Sequence, residues 1–108
     1  MDLRKITAII RSSELEKVEE RLKDIGVKGV SVSRVKGYGE YADFYKSDWM
    51  VTHARMEIFT EKSKADEIVS AIVETAHLGI AGDGIVAVLP VEKLYRIRTG
   101  REVSSDEV

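Results

Sequence analysis

A strand, a capped helix and a second strand follow one another twice along this chain, and that repetition constrains its fold more than any other feature. Leu3 to Arg11 alternates, with Ile6, Ala8 and Ile10 on one face and Thr7 and Ile9 on the other. Ser13 followed by Glu16 reads as a capping box, and Leu15, Val18, Leu22 and Ile25 recur at helical spacing before Gly26, where a left-handed stop belongs. Gly29 to Lys36 alternates again, Val30 and Val32 against Ser31 and Ser33. The second round begins at Met50 to Thr60, with Ala54, Met56 and Ile58 apolar and His53, Arg55 and Glu57 opposite. Ser63 is placed to cap a helix whose stripe is Ala65, Ile68, Val69, Ile72, Val73 and Ala76. Ile85 to Leu89 is the closing strand, Pro90 is expected to start a turn, and Tyr95 to Arg98 reads as a last short strand. Between the rounds, Glu40 to Asp48 has no sustained period and reads as a loop.

Two amphipathic helices and four half-apolar strands in this order predict an α+β, ferredoxin-like βαββαβ domain: a four-stranded antiparallel sheet with both helices on one face. At 108 residues the whole of 1–108 is expected to be a single domain, with a variable loop about 40–49 and a polar tail about 101–108 that frays. The open sheet face carries Ser31, Ser33, His53, Arg55 and Glu57, and is expected to meet water or pack into an oligomer. It lacks the aromatics of an RNA-recognition sheet, and a net charge of −2 with pI near 5.7 argues against a nucleic-acid partner. Without cysteine there are no disulfides, thiol catalysis or thiolate metal sites. No segment approaches the roughly 18 apolar residues of a membrane span, and no signal peptide is legible, so a cytoplasmic protein is expected.

Function points to the stretch from Gly79 to Arg101. A glycine-rich loop, Gly79-Ile80-Ala81-Gly82-Asp83-Gly84, precedes a short apolar strand and then Arg96-Ile97-Arg98-Thr99-Gly100, with the two arginines spaced to share one strand face. Glycines let backbone N–H groups approach an oxyanion without Cβ interference, and guanidinium forks add charge-assisted bonds. The combination asks for an anionic ligand, most often a phosphate. An ordinary helix-to-strand turn, with the arginines paired to Glu57 or to the acidic tail, is the plainer reading of the same residues.

These residues resemble the PII family of trimeric nitrogen-signalling proteins over nearly the whole chain. The resemblance rests on Lys5-Ile6-Thr7-Ala8-Ile9-Ile10-Arg11, on Val35-Lys36-Gly37-Tyr38-Gly39, on the glycine loop, and on the run from Val88 to Gly100. It implies a homotrimer with adenine nucleotide, ATP or ADP, bound between subunits, and a long loop after the second strand that docks on a target protein. Gly82, Asp83 and Gly84 match the family's phosphate-cradling loop, and Arg96 and Arg98 match arginines that reach phosphate from the neighbouring subunit. Gly37 and Gly39 match glycines at the loop base, with Tyr38 between them; Ser31 matches a hydroxyl near the adenine, Gly29 and Glu57 its neighbours, and Ile9 an apolar wall.

Three departures bear on ligand choice. Ile85 stands where standard members have a phosphate-contacting lysine, and losing one such contact costs about 1.5–3 kcal/mol, which shifts preference from ATP toward ADP, AMP or another adenine nucleotide. Tyr41 replaces a glutamine that helps hold Mg²⁺ and 2-oxoglutarate, and His53 aligns with a lysine that meets the 2-oxoglutarate carboxylate. Sensing of 2-oxoglutarate is therefore not expected, and Mg²⁺ is left open. The loop is several residues shorter than in standard members, so control by uridylylation is not expected either. Shortened loops of this kind resemble divergent members that accompany transporters or heavy-metal efflux pumps.

Tyr38, Tyr41, Phe44, Tyr45 and Trp49 crowd five aromatics into twelve residues. Tyr41, Phe44, Tyr45 and Trp49 read as a docking surface for a protein target such as a membrane transporter, which would bring the protein to the membrane; packing within its own trimer is the alternative. His53 and His77 are isolated and read as sheet-face or surface histidines rather than metal ligands. A rival function keeps them in play: a metal- or ion-responsive regulator of a transport or efflux system, with His53, Asp43 or Asp48 as ligands and nucleotide secondary. A plain trimeric interaction module with a vestigial cleft is a third reading. No catalytic constellation is legible, so an enzyme is not expected.

Overall fold

The computed structural model describes residues 2–37, 51–104 and 107–108. Its elements run β1 (Leu3–Arg11), α1 (Leu15–Asp24), β2 (Ser31–Gly37), β3 (Val51–Glu61), α2 (Lys62–Ala76), β4 (Gly84–Val91), β5 (Tyr95–Arg96) and β6 (Arg101–Glu102). Among the described residues, β1 to β4 form one antiparallel sheet in the order β2-β3-β1-β4, and β5 and β6 form a separate hairpin. Each strand–helix–strand unit skips a place in the sheet, and a strand of the other unit fills it. This interleaving is the ferredoxin-like topology expected from the repeat.

Parity along the strands assigns the core as the alternation predicts. Ile6, Ala8 and Ile10 of β1 and Ala54, Met56 and Ile58 of β3 point to the helices, and meet Val18 and Leu22 of α1 and Ala65, Ile68, Ala71, Ile72 and Ala76 of α2. Burying a Leu or Ile side chain from water contributes about 1.5–3 kcal/mol, so this layer dominates the favourable side of folding. The end of α1 also follows expectation. Gly26 takes φ +87, the N–H of Val27 donates to the Leu22 carbonyl at 3.0 Å, and the N–H of Gly26 donates to the Lys23 carbonyl at 3.0 Å, which is a Schellman stop.

Helix starts differ from the sequence reading. A single 3₁₀ turn, Ser12–Glu14, joins β1 directly to α1, and Glu14 at the N-cap makes no side-chain capping bond. Ser13 thus lies in helical conformation, where a capping residue must be extended. Ser63 lies inside the first turn of α2, whose N-cap is Glu61. There the chain passes straight from β3 to helix, and the N–H of Lys62 is satisfied by the Asp2 carbonyl at 3.0 Å instead.

The C-terminal third brings three corrections. Pro90 does not start a turn; it lies in β4 opposite Arg4, on a sheet edge where its missing N–H costs little. Tyr95–Arg96 ends sooner than expected, because the chain turns at Ile97 to Gly100 and returns as β6, with the N–H of Gly100 donating to the Arg96 carbonyl at 2.9 Å. The tail is also not simply frayed: Val103 is 3 % exposed, and its N–H donates to the Leu94 carbonyl at 2.8 Å.

Candidate functional site

The glycine loop, residues 78–84, is braced from within by Asp83. One carboxylate oxygen accepts the N–H of Gly79 at 2.8 Å and the N–H of Leu78 at 3.1 Å, while the other lies 3.5 Å from Arg11 Nε. His77 Nδ1 approaches the same carboxylate at 3.7 Å. Burial pushes the Asp83 pKa up, but the hydrogen bonds from Gly79 and Leu78, with the charges of Arg11 and His77, outweigh it and hold the carboxyl below its ordinary value. Asp83 therefore shapes the loop, with its carboxylate turned inward rather than toward a ligand.

Two further side chains hold the loop from the sheet. Arg11 Nη2 donates to the Ala81 carbonyl at 2.6 Å, and His53 Nε2 lies 3.3 Å from the Gly82 carbonyl. Arg11 and His53 face each other across the β1–β3 pairing, so neighbouring positions on adjacent strands take successive carbonyls of the loop. His53 keeps its expected place on the sheet face of Arg55 and Glu57, but it is only 3 % exposed, because the glycine loop covers it there. Gly82 and Gly84 take φ +97 and +108, and a Cβ on Gly84 would run into the Ile9 carbonyl. Ile9, expected as an apolar wall, thus meets the loop through its backbone as well. Ile85, beside Gly84 and opposite Ile9, is 43 % exposed.

A second group lies further along the sheet. Gly29, Ser31, Glu57 and Arg96 line one cleft of about 560 Å³, together with Lys28, Val30, Phe59 and Leu94. Ser31 opens β2 directly opposite Glu57 of β3, and Glu57 is held by Lys5 at 3.1 Å and Arg55 at 3.4 Å. Arg96 Nε lies 3.6 Å from a carboxylate oxygen of Glu107, whose other oxygen accepts the Ser104 hydroxyl at 2.8 Å. The pairing of Arg96 with the acidic tail, raised as the plainer alternative, is thus present in this chain.

Arg98 does not share a strand face with Arg96. It stands in the Ile97–Gly100 turn after β5, because the hairpin interrupts the two-residue alternation. Gly37 ends β2 at the sheet end nearest His53 and the glycine loop. Tyr38, Gly39, Tyr41, Phe44, Tyr45 and Trp49 lie outside the described residues, as do Asp43 and Asp48 of the metal alternative. Among the described residues, no three His, Asp or Glu side chains are grouped to hold a metal ion.

The expected site residues therefore form two patches. The loop patch contains Ile9, Gly82, Asp83 and Gly84, with Gly37 at the same end of the sheet on the outer strand β2; the cleft patch contains Gly29, Ser31, Glu57 and Arg96. His53 and Glu57, which mark the two along β3, are four residues apart, or about 13 Å of strand. Arg11 and the cations beside Glu57 were not foreseen as site residues. Only the strand pairing brings Arg11 to a loop 70 positions away in sequence.

Comparison with known proteins agrees with this architecture. The family model described as "Nitrogen regulatory protein P-II" matches residues 3–101. The nitrogen regulatory protein P-II of Pasteurella multocida is 38 % identical over 107 residues, covering 93 % of this chain and 96 % of its own length. That of Azospirillum brasilense is 36 % identical over the same coverage. Among solved structures, Arabidopsis thaliana PII bound to citrate superimposes with a TM-score of 0.81 at 36 % identity, covering 94 % of this chain and 89 % of that one. The fold, the family match and these relatives agree: this chain belongs to the PII family of nitrogen regulatory signal-transduction proteins.

Proposed function

We infer that this PII protein is a homotrimeric, cytoplasmic sensor of adenine nucleotide. In this reading ATP or ADP lies between the glycine loop of one subunit and the cleft of the next. Gly82 and Gly84 receive the phosphates on backbone donors, with Asp83 holding the loop in shape, while Ile9 and the loop base at Gly37, Tyr38 and Gly39 wall that side. Gly29, Ser31 and Glu57 of the second subunit receive the base and ribose, and Arg96 and Arg98 reach across to the phosphates. The loop carrying Tyr41, Phe44, Tyr45 and Trp49 reports occupancy to a protein target such as a membrane transporter, which is how the protein would reach the membrane. The role is regulatory rather than catalytic.

The observation that carries this reading is the preformed glycine loop, braced at both carboxylate oxygens of Asp83 and closed to any side chain at Gly84. Two patches separated along one sheet further support a ligand completed by a second copy. The exposed apolar residues Phe59, Ile85 and Leu89 on the open sheet face are suited to meeting that copy. Citrate on the Arabidopsis relative supports an anionic ligand for the fold. The Arg96–Glu107 pair does not oppose it: both side chains are about four-tenths exposed, so the pair contributes at most about 1 kcal/mol and yields to a phosphate. For 2-oxoglutarate the support is missing, since Ile85 offers no charge and His53 is turned to the Gly82 carbonyl. AMP falls within the same class of ligand.

Isothermal calorimetry with ATP, ADP and AMP tests the reading directly. The wild type is expected to bind, and Arg96→Ala/Arg98→Ala to lose about 10- to 100-fold in affinity. Absence of binding by the wild type, or unchanged binding by the double variant, refutes it. Light scattering is expected to give three copies.

A further inference from the structure

We propose that Arg11 and His53 are positioning residues that preform the anion-receiving face of the glycine loop by turning its carbonyl groups away from that face. The proposal deepens the nucleotide reading and rests on it for the identity of the anion. A backbone loop that receives phosphate must present N–H groups and hide C=O groups, because each carbonyl oxygen carries partial negative charge that repels the ligand. Glycine supplies the conformational freedom for such a loop but does nothing to choose which way its peptide planes face.

In this chain the choice is made by side chains from the sheet. Arg11 takes the Ala81 carbonyl at 2.6 Å, and His53 takes the next carbonyl, that of Gly82, at 3.3 Å. Opposite a carbonyl acceptor, His53 Nε2 carries the proton. The trans peptide then sets the N–H of Gly82 antiparallel to the Ala81 carbonyl, on the side away from Arg11. The adjoining N–H, that of Asp83, is drawn toward the Ile80 carbonyl at 3.3 Å inside the loop. Arg11 also reaches Asp83 at 3.5 Å, so one guanidinium fork ties together the carboxylate and the carbonyl that set the loop's shape. A lysine at position 11 keeps the charge but not the fork.

The anchor is rigid at both ends. Arg11 and His53 are opposed residues on paired strands, and His53 is buried although its neighbours on the same face, Arg55 and Glu57, are not. A histidine buried for packing alone has no need to place a ring nitrogen against a loop carbonyl. Its position two residues after Val51, where β3 begins, also makes it the first described side chain after the variable loop to touch the nucleotide loop.

Two readouts on the full chain test the proposal. The first is hydrogen exchange by mass spectrometry on nucleotide-free protein; the second is calorimetry with ADP and, separately, with adenosine. For His53→Ala, exchange over residues 78–84 is expected to quicken about tenfold with α1 unchanged, and ADP to bind about tenfold more weakly with adenosine unaffected. His53→Gln, whose amide nitrogen reproduces Nε2, is expected to recover both, and Arg11→Lys to show the same split as His53→Ala. Unchanged exchange in His53→Ala overturns the proposal. So does a parallel loss of ADP and adenosine, or a His53→Gln variant no better than alanine, because each marks a merely structural role. A wild type that binds neither ADP nor adenosine refutes the nucleotide reading instead, and the clamp is then judged by the exchange of residues 78–84 alone.

Discussion

Replacing Gly84 by alanine separates two costs that the structure assigns to different glycines. At Gly84, φ is +108 and a Cβ would collide with the carbonyl of Ile9, a backbone atom of the neighbouring strand. At Gly26, φ is +87 but no atom lies within 4 Å of the added carbon. Gly26→Ala therefore carries only the left-handed backbone cost, about 1–2 kcal/mol. Gly84→Ala carries a similar cost and must also push β4 from β1 at the Ile10–Gly84 pairing, forfeiting a ladder hydrogen bond and adjacent packing. That further loss is about 2 kcal/mol or more, so the total is expected near 4 kcal/mol. Urea unfolding followed by circular dichroism, at one fixed protomer concentration because association shifts apparent stability, measures both variants. Gly84→Ala is expected to lie at least about 2 kcal/mol below Gly26→Ala, and to lose ADP binding while Gly26→Ala keeps it. Equal destabilisation by the two variants refutes the claim that Gly84 is sterically required.

Two other expectations follow from the loop and the tail. Asp83 has a pKa lowered by folding, so its contribution to stability is complete above the unfolded value of about 3.9 and disappears as pH falls through the lower folded value. The stability gap between wild type and Asp83→Asn is accordingly expected to be full above the ordinary carboxylate range and to shrink as pH falls below it; a gap independent of pH contradicts the charged role. Val103→Ala removes two buried methyl groups and is expected to cost about 1.5–2.5 kcal/mol by urea unfolding, whereas a frayed tail gives no change.

Local pattern carried far in this protein. Alternation in β1 and β3 correctly assigned Ile6, Ala8, Ile10, Ala54, Met56 and Ile58 to the core, because a half-buried strand exposes every second residue to a different solvent. The Gly26 stop was legible for a similar reason, since a left-handed residue after a helical stripe is chosen within one turn of chain. The failures were local signals overruled by what came next. Ser13 and Ser63 had the chemistry of caps, but neither junction left them extended. Arg96 and Arg98 had strand spacing, but a hairpin turn intervened at Ile97.

The sequence by itself determined the kinds and order of the elements, the apolar layer between helices and sheet, and the presence of a glycine loop at Gly79 to Gly84. All of these depend on neighbours within a few residues, where backbone sterics and solvent preference act. Tertiary structure alone decided the register that sets Arg11 opposite His53, and with it that the two take successive carbonyls of the glycine loop. It also turned Asp83 inward, placed Pro90 on a sheet edge and docked Val103. Those outcomes join positions as much as 70 residues apart, and contacts of that range are selected by the packing of the whole sheet rather than by the spacing of any segment.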